Sequence, residues 1–99
     1  MLDLAKVRLE QFAACLTQEF EIVFAGGALP AKLIEARHWG PDHSAGVRQP
    51  FTLTFRIDRR LKFPQGIYKM RHAALGEMEI FLVQVGGDEN SSTLEAVFN

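Results

Sequence analysis

Residues 67 to 85 alternate in a way that favours one strand pairing over every slipped alternative. The chain turns at Ala73-Ala74-Leu75-Gly76, and apolar and charged residues alternate on both sides of that turn. Placing Arg71 opposite Glu77 brings Lys69 opposite Glu79 and Ile67 opposite Phe81. The other face then carries Met70 against Met78 and Tyr68 against Ile80. Each cross-strand pair contributes about 0.2–1 kcal/mol, and a one-residue slip would lose all of them together. An antiparallel hairpin with strands at about 67–72 and 77–85 is the fixed point from which the rest of the chain is read.

The same period of two recurs elsewhere. Phe51, Leu53, Phe55 and Ile57 alternate with Thr52, Thr54, Arg56 and Asp58, which predicts a half-buried strand over about 51–58. Phe20, Ile22 and Phe24 alternate with Glu19, Glu21 and Val23, a strand over about 19–25. Gly26-Gly27 then supplies a two-residue hairpin turn. A return strand over about 29–39 puts Phe24 opposite Leu29, Ile22 opposite Ala31, Phe20 opposite Leu33 and Glu21 opposite Lys32. Pro30 marks an edge or strand-start position, since it cannot donate to a ladder. Leu94, Ala96 and Phe98 share one side of a last strand at about 93–98. The run Ile80-Phe81-Leu82-Val83 suggests a strand covered on both faces.

Between these strands, Gly40 to Pro50 and Gly86 to Ser92 are loops on composition, and Asp58 to Gln65 is a polar connection holding Leu61 and Phe63. Before the first strand the period is 3.6. Leu9, Phe12, Ala13 and Leu16 predict one face of a helix over about 4–16, with Asp3 as its cap. The expected fold is mainly β: six antiparallel strands in a small barrel or two-layer sandwich, with one N-terminal helix packed on it. Ninety-nine residues, 47% of them hydrophobic and eight of them Phe, form a single domain with one core.

Charge and chemistry narrow the function less. A net charge of −1 gives no overall pull toward nucleic acid or an anionic membrane. No stretch approaches the ~18 apolar residues of a membrane-spanning helix. The opening Met1-Leu-Asp-Leu-Ala-Lys6 lacks the basic flank and apolar run of a secretion signal, so a cytoplasmic location is the expectation. The charge is nevertheless split. Arg48, Arg56, Arg59, Arg60, Lys62, Lys69 and Arg71 share their stretch with one acid, Asp58, whereas His72 to the end holds five acids and no Lys or Arg. Arg56, Arg59, Arg60 and Lys62, with Trp39 as an aromatic anchor, are the candidate interaction surface. The alternative is that Lys69 and Arg71 pair with Glu79 and Glu77 and the remainder is solvated.

No catalytic or cofactor motif stands out. Cys15 reads as a small buried apolar residue, and His72 as the cap of the hairpin turn. His38 and His43, with Asp42 nearby, fit no standard zinc spacing. Asp42, His43 and Ser44 are sequence neighbours and cannot form the line of nucleophile, base and orienting group that a triad requires. No P-loop, dinucleotide fingerprint or nucleophile elbow is present. No cofactor and no metal are expected.

The pieces Phe51-Thr-Leu-Thr-Phe55, Pro64-Gln-Gly-Ile-Tyr68, His72-Ala-Ala-Leu-Gly76, Phe81-Leu-Val-Gln-Val-Gly86 and Glu95-Ala-Val-Phe-Asn99 follow one another in an order that resembles a family of short, uncharacterised bacterial β domains. Members commonly have Pro where Gln84 and Ala73 stand. The resemblance implies a small all-β domain and carries over no catalytic residue. Through relatives encoded beside phage-tail-like or tail-collar proteins, it also implies a part in such an assembly. The leading expectation is a non-enzymatic interaction or assembly module acting through a protein partner or self-association. The rivals are a small-ligand-binding barrel and a minor enzyme using His38 or His43.

Overall fold

The side-chain pattern of residues 67–85 is satisfied rung by rung. In the computed structural model, which describes residues 1–39 and 49–99, Ile67 pairs with Phe81, Tyr68 with Ile80, Lys69 with Glu79, Met70 with Met78 and Arg71 with Glu77. The strands are β1 (Glu19–Phe24), β2 (Gly27–His38), β3 (Phe51–Ile57), β4 (Gly66–His72), β5 (Gly76–Asp88) and β6 (Ser91–Phe98), preceded by a helix, α1 (Leu9–Ala13). All neighbours are antiparallel and the sheet closes in the order β1-β2-β3-β6-β5-β4, so β4 returns to β1. Of the two architectures the sequence allows, the chain adopts the barrel.

Alternation decides which residues enter the barrel. Phe20 and Ile22 of β1, Ala31 and Leu33 of β2, and Phe51, Leu53, Phe55 and Ile57 of β3 point inward. So do Met70, Met78, Ile80, Leu82, Leu94 and Ala96, and each of these is buried. Even eight strands enclose a space only just wide enough for side chains. Six enclose less, and this interior is a packed core. Leu82 is buried while Phe81 and Val85 are about half exposed, so β5 has one covered face and one open face. The doubly covered strand suggested by the run Ile80 to Val83 is corrected accordingly. The barrel's outer wall lies directly under solvent there, because the helix goes to the barrel's end.

Two ladders contain an extra residue. The β2–β3 register shifts between Leu33 and Glu35, and the β5–β6 register between Gln84 and Gly86. Ile34 and Val85 are the inserted residues, and both are exposed. Such bulges bend a strand and help a sheet curl. The second one explains why Gly86-Gly87-Asp88 belongs to β5 although its composition reads as loop. The turn itself is confined to Glu89 and Asn90.

The first hairpin is shifted by two residues from the expected register. Ala25-Gly26 forms its turn, and Phe24 pairs with Gly27, Ile22 with Leu29 and Phe20 with Ala31. A two-residue shift leaves every side chain on its own face, so burial cannot discriminate between the registers. The cross-strand charge pair that favoured the other register is not needed. Glu21 finds Arg71 at 2.8 Å across the closure seam, and Glu19 takes the place opposite Lys32. Pro30 sits opposite Glu21, outside the β2–β3 ladder, which begins at Lys32.

The helix is shorter than the stretch 4–16. Asp3 caps a tight turn before it, with its carboxylate accepting from the Ala5 N–H at 3.0 Å and its carbonyl from Lys6 and Val7. Gln11 reaches back to the Arg8 N–H at 2.9 Å, which starts α1. Thr17, at φ 69°, then turns the chain into β1 in a left-handed conformation uncommon for a β-branched residue. Only Phe12 of the expected stripe is fully buried. Ala13 and Leu16 are exposed, and Val7 and Cys15 face inward instead. Phe12 plugs one mouth of the barrel, its ring 5.7 Å from Phe98, 6.1 Å from Phe51 and 6.3 Å from Phe20. Phe51 and Phe98 stack beneath it at 4.6 Å.

The other mouth is strapped shut by the β3–β4 connection. The Ser92 hydroxyl accepts from the Leu61 N–H at 3.0 Å and donates to the Arg59 carbonyl at 2.8 Å. Gln84 accepts from the Phe63 N–H at 3.0 Å and donates to the Leu61 carbonyl at 2.9 Å. These bonds hold buried Phe63 under the strap. Removing a partner from a buried polar group costs about 1–3 kcal/mol, so Ser92→Ala is expected to lower stability in urea by that amount. A loss below ~0.5 kcal/mol would show that the strap does not depend on Ser92.

Candidate functional site

With the core filled, chemistry has to be sought at the surface and at the two mouths. At the helix mouth, barrel closure brings His72 to Cys15 and Gln18, more than fifty residues away in the chain. Cys15 Sγ is 3.9 Å from His72 Nδ1, and His72 Nε2 is 2.7 Å from Gln18 Oε1. In outline this is a nucleophile, a base and an orienting amide. Three features remove the chemistry from it. Cys15 is only 4% exposed. Its burial pushes the thiol pKa up, away from the thiolate that a nucleophile must be. And His72 Nδ1 already accepts from the backbone N–H groups of Ala74, at 3.1 Å, and Leu75, at 3.3 Å. That leaves the proton on Nε2, donated to Gln18. His72 caps the turn, as its position before Ala73-Ala74 suggests. Its closeness to Cys15 and Gln18 has no signal in the sequence, because only the return of β4 to β1 creates it.

The five residues of the candidate interaction surface do not form one patch. Trp39 follows β2, bonds the Pro50 carbonyl through its backbone N–H at 3.0 Å, and lies near the start of β3. Arg59, Arg60 and Lys62 lie on the strap beyond the end of β3 and are exposed. The seven residues of β3 span roughly 20 Å between those two ends. Arg56 points outward near the strap and is bound to Asp58 at 3.0 Å. His38 Nδ1 lies 3.3 Å from the Pro50 carbonyl. Asp42, His43 and Ser44 lie outside the described residues, so only His38 of that group can be placed.

A groove of about 710 Å³ runs beside the strap, lined by Arg60, Lys62, Asp88, Glu89 and Ser91 among others. Its charges are mixed, and one of its acids, Asp88, has structural work. Asp88 Oδ1 accepts from the Asn90 N–H at 2.8 Å and the Ser91 hydroxyl at 2.9 Å, closing the β5–β6 turn. Those bonds, the Asn90 N–H foremost, hold the Asp88 carboxyl below the usual carboxylate range. A carboxylate with a depressed native pKa contributes stability that is complete above its unfolded value of ~3.9 and is lost as pH falls through the native value. Asp88→Asn is therefore expected to lose stability near neutral pH and to show a flatter acid limb below pH ~4. Parallel urea titrations across that range check this; identical pH profiles for the two proteins would refute it.

The outer wall of β4, β5 and β6 is the most distinctive surface. Ile67 is 70% exposed, its rung partner Phe81 52%, and Val97 on β6 53%. Val83 pairs with Glu95, so Phe81 and Val97, two residues along on each strand, share this outer face. Charged rungs flank the apolar one. Lys69 Nζ reaches diagonally to Glu77 at 3.2 Å, and Arg71 crosses to Glu21 instead of bonding its rung partner Glu77. The Glu21 carboxylate, first by its hydrogen bond and then by its charge, pushes the Arg71 pKa up. Glu79 has no ion pair among the described residues. The sequence contained this wall, since Ile67 and Phe81 fall on the same face as Lys69 and Glu79, but the expectation of a covered β5 hid its exposure.

Among the described residues, no helix is long and apolar enough to cross a membrane. No curated protein and no solved structure matches the chain. Residues 7–98, from the turn before α1 through the last strand, match the domain of unknown function DUF6916, and the chain belongs to that family.

Proposed function

We propose that this protein is a non-enzymatic interaction module that docks protein through the outer wall of β4–β6. The observation that carries the reading is the apolar row Ile67, Phe81 and Val97, more than half exposed on a rigid, fully paired sheet. Apolar rows of this kind on an otherwise charged wall mark protein contact sites. The filled core favours docking over the rival of a ligand carried inside the barrel. The resemblance to domains encoded beside phage-tail-like or tail-collar proteins supports a specific form of the reading, an accessory role in a tail-like assembly.

Partner capture from the producing cell tests it, with the wild type and an Ile67→Asp/Phe81→Asp variant side by side. Both changes lie on exposed positions, so the variant should keep its fold, checked by circular dichroism. A defined assembly protein retained by the wild type and lost by the variant is the expected result. Equal retention by both, or no retention at any concentration together with no self-association, would overturn the reading.

A further inference from the structure

The rungs that fix the β4–β5 register within one chain are also complementary between two copies of it. Every outward position on β4 faces a complementary one on β5: basic Lys69 faces acidic Glu79, basic Arg71 faces acidic Glu77, and apolar Ile67 faces apolar Phe81. A two-fold axis running along the strands, midway between β4 and β5, carries β4 of one molecule over β5 of another without changing the rung. Lys69 then meets the partner copy's Glu79, Arg71 meets its Glu77, and Ile67 meets its Phe81. An axis across the strands at the Lys69–Glu79 rung would instead press Ile67 against Arg71. We infer that the occupant of this wall is a second copy of the chain, held face to face about the axis along β4 and β5. The inference rests on the interaction-module reading and names its partner.

The charges agree with this arrangement. Glu79 has no ion pair among the described residues, although Lys69 is its rung partner, because Lys69 leans to Glu77 at 3.2 Å. The second copy brings another lysine over it. The isologous contact needs no second surface, and it closes at two copies. A standard stable interface buries ~800 Å² per partner, roughly an eighth of the 6146 Å² surface of this chain. A convex barrel wall presents less than that in one plane. The dimer is therefore expected at micromolar concentrations and above, and not at nanomolar ones.

Sedimentation equilibrium over micromolar to millimolar protein tests the inference through charge reversal. Lys69→Glu places two glutamates opposite two glutamates across the axis, and Glu79→Lys places lysines opposite lysines. Each single variant is expected to dimerise at least ~10-fold more weakly than the wild type. An equimolar mixture of the two is expected to form a heterodimer near wild-type strength, since each copy now supplies what the other lacks. Phe81→Lys is expected to abolish dimerisation, with an unchanged circular dichroism spectrum showing that the barrel remains.

Three results would overturn the inference: a wild type that stays monomeric at millimolar concentration, dimers that survive Phe81→Lys, or a mixture no stronger than its components. A monomeric wild type that still captures a different protein through Ile67 and Phe81 would sink the second copy and leave the interaction module standing. Loss of both would sink the two together.

Discussion

Replacing Phe12 by alanine is expected to cost about 3–5 kcal/mol of folding stability. Phe12 is fully buried and is the one large side chain that α1 delivers into the barrel mouth. Its ring neighbours Phe20, Phe51 and Phe98 come from three strands, β1, β3 and β6, so the cavity left by truncation cannot be refilled by one small shift. Total stabilities of small domains are about 5–15 kcal/mol, so the variant should be marginal. Leu16→Ala is the control. Leu16 is 43% exposed on the next turn and should change stability by no more than ~0.5 kcal/mol. Urea unfolding followed by fluorescence measures both. A Phe12→Ala cost near that of Leu16→Ala would mean that the helix is an appendage and not the plug of the barrel.

Gly87→Ala is expected to lose at least ~2 kcal/mol, although the residue itself is exposed on a hairpin arm. Gly87 sits at φ +143°, and an added Cβ would stand 2.4 Å from the Ser91 carbonyl oxygen. That oxygen belongs to backbone held in the β5–β6 ladder, where Gly87 pairs with Ser92 and Asp88 with Ser91, so it cannot swing away as a side chain would. The neighbouring Gly86 provides the comparison, because a Cβ there would meet nothing within 4 Å. Gly86→Ala should cost less than ~1 kcal/mol by the ordinary flexibility argument. Equal costs at the two positions would show that the hairpin relaxes freely, and that the bulge beside Val85 does not fix its path.

These two sites mark what a reader of the sequence could and could not see. The β4–β5 register was legible because five side-chain pairs agreed on it, whereas the far end of β5 and its open face were not. The inward faces of β1, β3 and β6 were legible because alternation reports burial directly. The register of the first hairpin was not, since a shift of two residues keeps the faces, and its deciding partner, Arg71, arrives from β4 only when the barrel closes. Gly86-Gly87-Asp88 reads as loop because a bulge and a turn use the same residues. The candidate site followed the same division. The basic residues Arg59, Arg60 and Lys62 were visible as a cluster, and they do share the strap. Their distance from Trp39 depends on the direction of β3. His72 meets Cys15 and Gln18 through closure alone. The exposed row of Ile67, Phe81 and Val97 depends on which wall the helix leaves uncovered, and no periodicity encodes that choice.

Closure between β1 and β4 decides the architecture, because an open sheet would leave β1 as an edge available for strand addition. Closure also pairs both sides of β4 and β5 within the barrel, so docking there uses the outward side chains and not a strand edge. Nuclear Overhauser contacts across that seam, read together with amide exchange, test it most directly. The barrel predicts cross-strand contacts of Ile22 with Met70 and of Glu21 with Arg71, and slow exchange at the seam comparable to that between β4 and β5. Absent contacts, with β1 amides on that side exchanging as freely as those of an exposed edge, would contradict it.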